Sequence, residues 1–195
     1  TRPPDGHYAL RAHSGPRVFA QTNDAVAHAM ADFISSILTS DYGLLIDAFC
    51  GAGFFAKRLA PKFQRVIGID WDHFAIDAAR IDARPNETYI AGDVAIELVG
   101  VIDHNRPRPV GSTAPTPVTL ILDPPAVGLS AEIRRTILDS PPRRMIYVSC
   151  NPPTLARDLA ELQTRFAVVS ITPFDMFPQT AEIEVVAELR CSRDR

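Results

Sequence analysis

An α/β fold with a mostly parallel sheet is what this sequence predicts, and three of its features say so. Short apolar runs recur and end in a carboxylate, at Leu44–Asp47, Arg65–Asp70 and Val118–Asp123. Segments with helical spacing of apolar residues follow them, the strand–helix alternation that a parallel sheet requires. After five such repeats the chain ends in two successive strands, which predicts a hairpin-like final pair.

With 195 residues the chain has the size of one α/β domain and can bury a substantial core. Hydrophobic residues make up 46% and charged residues 22%, an ordinary globular composition. A net charge of -3 and a pI near 5.9 argue against an autonomous nucleic-acid binder, which carries a basic excess. A local patch stays compatible with that charge: Arg134, Arg135, Arg143 and Arg144 could form one, or each could sit on a solvated helix face. Three cysteines, Cys50, Cys150 and Cys191, are an odd number without a close pair, so neither a disulfide framework nor a metal-ligand set is indicated. A reducing compartment, the cytoplasm, fits that usage. No apolar run approaches the roughly 18 residues of a membrane span, and the start lacks a signal-peptide pattern.

Residues 1–17 mix Pro, Gly, His and Arg without periodicity and read as a lead-in stub to one domain over 18–195. A helix is expected from Asp24 to Leu38, with Met30, Ile34 and Leu38 among its apolar positions, and Gln21 lies just ahead, facing either a ligand or solvent. The strand Leu44–Asp47 then enters a turn, Ala48-Phe-Cys-Gly-Ala-Gly-Phe-Phe55, that opens a helix. Gly51 and Gly53 permit positive φ and close approach of a ligand, and the helix start supplies unpaired amides. Asp47 through Gly53 read Asp-x-x-x-Gly-x-Gly, which differs from the dinucleotide G-x-G-x-x-G, whose third glycine position is Ala56 here, although that fingerprint also allows Ala. Asp70 ends the second strand about where nucleoside-binding α/β folds place a carboxylate for ribose hydroxyls.

A helix over 72–84 follows, with Phe74, Ile76, Ala79 and Ile81 expected to face inward. The third strand, Thr88–Ala91, leads to Asp93, which either meets an adenine amino group or caps a helix over 94–98. Residues 103–117 read as a surface loop rich in Asn, Arg, Pro, Gly, Ser and Thr. Val118–Asp123 is the clearest strand; Pro124 and Pro125 stop it, and a helix is expected over 130–139. Met145–Val148 is a buried strand that discharges into Ser149-Cys150-Asn151-Pro152. A thiol thus stands at a strand's carboxyl end, beside a helix start that would lower its pKa, or else is a buried Cys acting as a small hydrophobe. A helix over 154–165 and strands over 167–173 and 183–190 complete the chain.

Four stretches, Asp47-Ala-Phe-Cys-Gly-Ala-Gly53, Asp123-Pro-Pro-x-x-Gly-Leu129, Ser149-Cys-Asn-Pro152 and Phe177-Pro-x-Thr-x-x-x-Glu184, occur in this order. Together they resemble the uracil-5-methyltransferases of tRNA and ribosomal RNA. The resemblance implies a class I S-adenosylmethionine-dependent methyltransferase: a Rossmann-like, mostly parallel seven-stranded sheet with an antiparallel last strand. It also implies Cys150 as nucleophile, Glu184 as proton acceptor and Asp123 at the active site. Gln21, Phe49, Asp70 and Asp123 match family positions for S-adenosylmethionine or the active site, and Asp47, Gly51, Gly53 and Asp93 join them from the strand-end reading. Phe49 stands where the family commonly has Tyr, Ala126 where it usually has Arg, and Glu182 where it commonly has His.

These residue types suit the chemistry that the resemblance implies. Carbon-5 of uracil is a poor nucleophile until a thiolate adds to carbon-6, and a base must afterwards remove the carbon-5 proton. The expected partner is tRNA or rRNA, held with help from an N-terminal RNA-binding domain that family members carry and this sequence does not encode. Two other readings stay open: a same-fold methyltransferase acting on another base or atom, and a cofactor- or RNA-binding protein that has lost turnover.

Overall fold

The computed structural model describes residues 24–38, 43–104, 116–175 and 183–192. The lead-in over 1–17, Gln21, Glu182 and most of the 103–117 loop lie outside the described residues. In chain order the elements are α1 (Asp24–Ile37), β1 (Leu44–Ala48), α2 (Phe54–Leu59), β2 (Arg65–Asp70), α3 (His73–Ile81), β3 (Glu87–Ala91), α4 (Val94–His104), β4 (Val118–Leu122), α5 (Ala131–Asp139), β5 (Arg144–Ser149), α6 (Pro152–Leu162), β6 (Phe166–Phe174) and β7 (Glu184–Cys191). The strands form one sheet in the order β3-β2-β1-β4-β5-β7-β6. Strands β1 through β5 are all parallel, while β7 is antiparallel to both β5 and β6. Strand order reverses between β1 and β4, the switch point outside which α/β sheets bind ligands.

Period-two alternation divides the apolar side chains between two faces. Ile46, Ile67, Leu120, Leu122, Met145 and Tyr147 turn to one face, which α4, α5 and α6 cover through Leu98, Ile133 and Leu159. Leu45, Val66, Ile121, Ile146 and Val148 turn to the other, against Met30 and Ile34 of α1, Phe55 of α2 and Ile76 of α3. The central strands are therefore buried on both sides, which is why they read as continuous apolar runs. Among the described residues, no helix is long and apolar enough to cross a membrane.

Several expectations need correction. Helix α3 ends at Ile81, and Phe74 and Ile81 are exposed at 54% and 86%. Ile76, Ala79 and Ala75 form its buried stripe, and at 3.6 residues per turn the other two fall on the opposite side. Helix α4 runs on to His104, through residues expected to belong to the loop. Helix α6 starts earlier than expected, at Pro152, because Asn151 caps it and proline is well suited to a first helical position.

Beneath the first strand-to-helix turn lies Tyr89 of β3, buried, its hydroxyl donating to Glu87 Oε2 at 2.9 Å. A Cβ on Gly68 would fall 2.5 Å from the Tyr89 ring and 2.8 Å from Cys50 Sγ, so this strand glycine makes room for the ring. Gly68→Ala is therefore expected to destabilise the fold by about 1–3 kcal/mol through overpacking. Denaturant unfolding checks this, with a lowered midpoint at unchanged slope as the expected result.

Candidate active site

The carboxyl edge of the sheet gathers the polar strand ends. From one side to the other stand Asp93 after β3, Asp70 ending β2, Asp47 in β1, Asp123 after β4 and Cys150 after β5. Strand β7 runs the opposite way, so its first residue, Glu184, emerges at this same edge. Strands β5 and β7 pair in register up to Ser149 opposite Val185. Cys150 directly follows Ser149, and Glu184 directly precedes its partner Val185, so the two residues occupy neighbouring positions at this edge. Cys150 is exposed, which corrects the reading of it as a buried small hydrophobe.

The first turn is built from backbone and carboxylates. Phe49 adopts φ 67, Gly51 φ 52 and Gly53 φ 84. For the two glycines this is free, whereas for Phe49 it costs about 1–2 kcal/mol. The amides of Phe49 and Cys50 both donate to Ile69 O, at 2.8 and 3.1 Å, which fixes the turn against β2. Asp70 Oδ2 accepts the Gly51 amide at 2.8 Å and its Oδ1 the Asp72 amide at 2.9 Å. Asp47 Oδ2 accepts the Ala56 amide at 2.8 Å at the start of α2. A Cβ on Gly51 would meet nothing within 4 Å, so open space lies above this glycine.

Two buried carboxylate oxygens at this edge, Asp47 Oδ1 and Glu184 Oε2, have no hydrogen-bond partner among the described residues. Burial pushes the Asp47 carboxyl from the ordinary 3.8 up to about 7; the Ala56 amide works against the rise and Asp70 adds to it. Burial also raises the Glu184 carboxyl. Asp123, half-buried, is raised well above the usual carboxylate range by burial, then by Glu184, Asp47 and Asp70. Desolvation and like charge together favour the neutral acid. Asp93 Oδ1 accepts the Ala95 amide at 2.7 Å, so the capping role expected as one alternative is in place.

Not every expected group is at the site. Arg134 is drawn into ion pairs with Asp158 and Glu161, at 3.2 and 2.5 Å, and buried Arg144 pairs with Glu188 at 3.5 Å. Two of the four arginines of the expected patch are thus drawn into internal ion pairs, while Arg135 and Arg143 are exposed. Sequence reading missed Trp71, 75% exposed immediately after Asp70, and the buried Asp158. A signal for Asp158 was present, because it falls on the apolar stripe Leu155, Leu159, Leu162 of α6.

Residues 8–190 match the family model described as tRNA (uracil-5-)-methyltransferase. An RNA methyltransferase of uncharacterised specificity from Bacteroides thetaiotaomicron is 34% identical, over 93% of this chain and 40% of its own length. The tRNA (uracil(54)-C(5))-methyltransferase of Pyrococcus horikoshii is 33% identical, over 89% and 39%. Among solved structures, the Pyrococcus abyssi tRNA (uracil-54, C5)-methyltransferase in complex with S-adenosyl-L-homocysteine superposes with a TM-score of 0.69 at 30% identity. That match covers 89% of this chain and 40% of the other. The N-methyltransferase NodS of Bradyrhizobium japonicum, at 17% identity and TM-score 0.65 over 93% and 94% of the two chains, shares the fold. This chain spans about 40% of the length of the relatives it matches.

The Asp47 carboxyl gives the fold a defined pH response. Its folded pKa lies above its unfolded value, so the native state binds the extra proton, and stability falls as pH rises from about 4 to about 7. Below that window the penalty is absent; above it the penalty is complete, at about 4 kcal/mol. Asp47→Asn is expected to flatten this decline, with the larger gain in melting temperature at pH 8 and little at pH 4. Thermal unfolding of both proteins across pH 4–8 checks it.

Proposed function

Because the chain belongs to the tRNA (uracil-5-)-methyltransferase family, we propose that it methylates carbon-5 of a uridine in RNA, using S-adenosylmethionine and a transient thioether at Cys150. The reading rests on the meeting of Cys150 and Glu184, a nucleophile and a base 34 residues apart in the chain that share one sheet edge.

The residues present fit the methyl donor. Open space above Gly51, an unpartnered buried Asp47 oxygen and the acceptor capacity left on Asp70 suit a nucleoside that carries hydroxyls and positive charge. Asp47, Phe49, Gly51, Gly53 and Asp70 would hold it, Asp93 and Asp123 would border it, and Gln21 joins them by resemblance. When bound, S-adenosylmethionine supplies an electrophilic methyl group.

Cys150 adds as thiolate to carbon-6 of the uracil ring, forming a carbon–sulfur bond and moving the double-bond electrons toward carbon-5 and the carbon-4 oxygen. Burial and the neighbouring carboxylates raise the Asp123 carboxyl well above the usual range, and in its acid form it would donate a hydrogen bond to a ring carbonyl as that charge develops. Once carbon-5 is methylated, the Glu184 carboxylate takes its proton. The released pair restores the carbon-5–carbon-6 double bond and expels Cys150 Sγ. A base with a raised pKa suits removal of a weakly acidic proton near neutrality. A further RNA-binding domain, of the kind the resemblance implies, would add to the grip on RNA.

Incubation with labelled S-adenosylmethionine and unmodified bulk RNA, followed by nucleoside analysis, is expected to yield 5-methyluridine; label on an exocyclic nitrogen would replace this reading with another base chemistry. Cys150→Ala is expected to give no product. Glu184→Gln is expected to slow turnover by about 10²–10⁴-fold and to accumulate a covalent protein–RNA adduct stable to denaturing electrophoresis. Normal turnover in that variant rules out Glu184 as the base.

A further inference from the structure

Helix α6 starts two residues after Cys150, and its first two turns reach back to the segment that follows Asp123-Pro124-Pro125. Thr154 Oγ1 donates to Ala126 O at 3.0 Å, and Arg157 Nη2 to Val127 O at 2.9 Å and Leu129 O at 3.5 Å. Asp158 Oδ2 accepts the Leu129 amide at 2.8 Å. One helical face thus grips the backbone of the segment over 126–129. The gripping carboxylate is itself fixed: Tyr147 donates its hydroxyl to Asp158 Oδ2 at 2.7 Å, Arg157 Nε and Nη2 reach Oδ1 at 3.0 and 2.8 Å, and Arg134 Nη1 reaches Oδ1 at 3.2 Å. Gly128, at φ 75, completes the fit, since a Cβ there would fall 2.6 Å from Asp158 Oδ2 and 2.8 Å from Arg157 Nη2.

Both ends of this clamp are stiff. Pro124 and Pro125 lock the φ angles between Asp123 and the gripped segment. On the other side, the Asn151 amide donates to Ser149 Oγ at 3.1 Å and Asn151 Oδ1 accepts the Thr154 amide at 3.4 Å, which braces the turn around Cys150. We propose that Arg157 and Asp158 are positioning residues that set Asp123 relative to Cys150. The proposal rests on the reaction proposed above, in which those two groups meet the same pyrimidine.

Arg157 is the residue to change, because its side chain is 51% exposed and its removal leaves the apolar core intact. The test measures kcat and KM for methylation of an unmodified tRNA transcript by the full chain, with S-adenosylhomocysteine affinity by calorimetry and melting temperature alongside. Arg157→Ala is expected to lower kcat about ten-fold, since small misplacements of reacting groups carry large rate losses. Donor KM, S-adenosylhomocysteine affinity and melting temperature stay near wild type, and Arg157→Lys recovers part of the loss. Hydrogen exchange is expected to quicken at the Leu129 amide in Arg157→Ala while β5 stays protected. An unchanged kcat overturns the clamp alone, as does a fall in kcat matched by equal losses in melting temperature and ligand affinity. A wild-type chain that makes no 5-methyluridine, or a Cys150→Ala variant that still does, overturns the underlying reaction and the clamp with it.

Discussion

The antiparallel pairing of β7 against β5 is the constraint on which the site's geometry depends. Side chains alternate between faces along a strand, so a slip of one residue would turn Glu184 to the other face and carry the charge of buried Glu188 into the apolar face that Val185, Ala187 and Leu189 now fill. A partly buried ion cluster helps hold the register. Glu188 lies opposite Ile146 and is flanked by Arg144 and Arg190, the pair that faces each other two positions along. The guanidinium of Arg144 also donates to Ile37 O of α1 at 3.2 Å, which ties the pairing to the helix covering that face. A strand reversed relative to its neighbours thereby delivers a carboxylate to the edge where parallel strands deliver their own ends.

That edge is electrostatically costly. Asp47, Asp70, Asp123 and Glu184 converge there, and Asp47 Oδ1 and Glu184 Oε2 have no hydrogen-bond partner among the described residues. Folded proteins seldom bury such groups unpaired, and where they do the exception points to a ligand or a catalytic task. Here the unfavourable burial falls on residues to which the proposed reaction assigns roles, while carboxylates elsewhere, Glu87 with Arg84 and Asp158 with its two arginines, are paired internally. The cost therefore sits at the ligand edge and not in the supporting frame.

Much of the fold was legible in the sequence because the signals were local. Apolar runs ending in Asp47, Asp70 and Asp123 marked strand ends, and Gly51 and Gly53 do take the left-handed conformation expected of them. What escaped notice depended on distance in the chain. The engagement of Arg134 by Asp158, and of Arg144 by Glu188, is decided by which elements pack together, and so the expected patch was not visible as internal ion pairs. Phe74 and Ile81 misled because apolar identity was read without tracing the angle around α3. Gly68 looked like an ordinary strand glycine; only the arrival of Tyr89 from the neighbouring strand shows why no side chain fits there. The arrival of Cys150 and Glu184 at one sheet edge is likewise a product of strand pairing, which motif order alone does not convey.

Contacts from α6 to the segment beyond Asp123 are made to peptide carbonyls and one amide, and the side chains of Ala126 and Val127 point into solvent untouched by them. The shape of that segment is in this way decoupled from its composition, apart from Gly128. Ala126 and Val127 can therefore be exchanged without loss of any of these contacts, and the carboxylate of Asp123 behind them keeps its support.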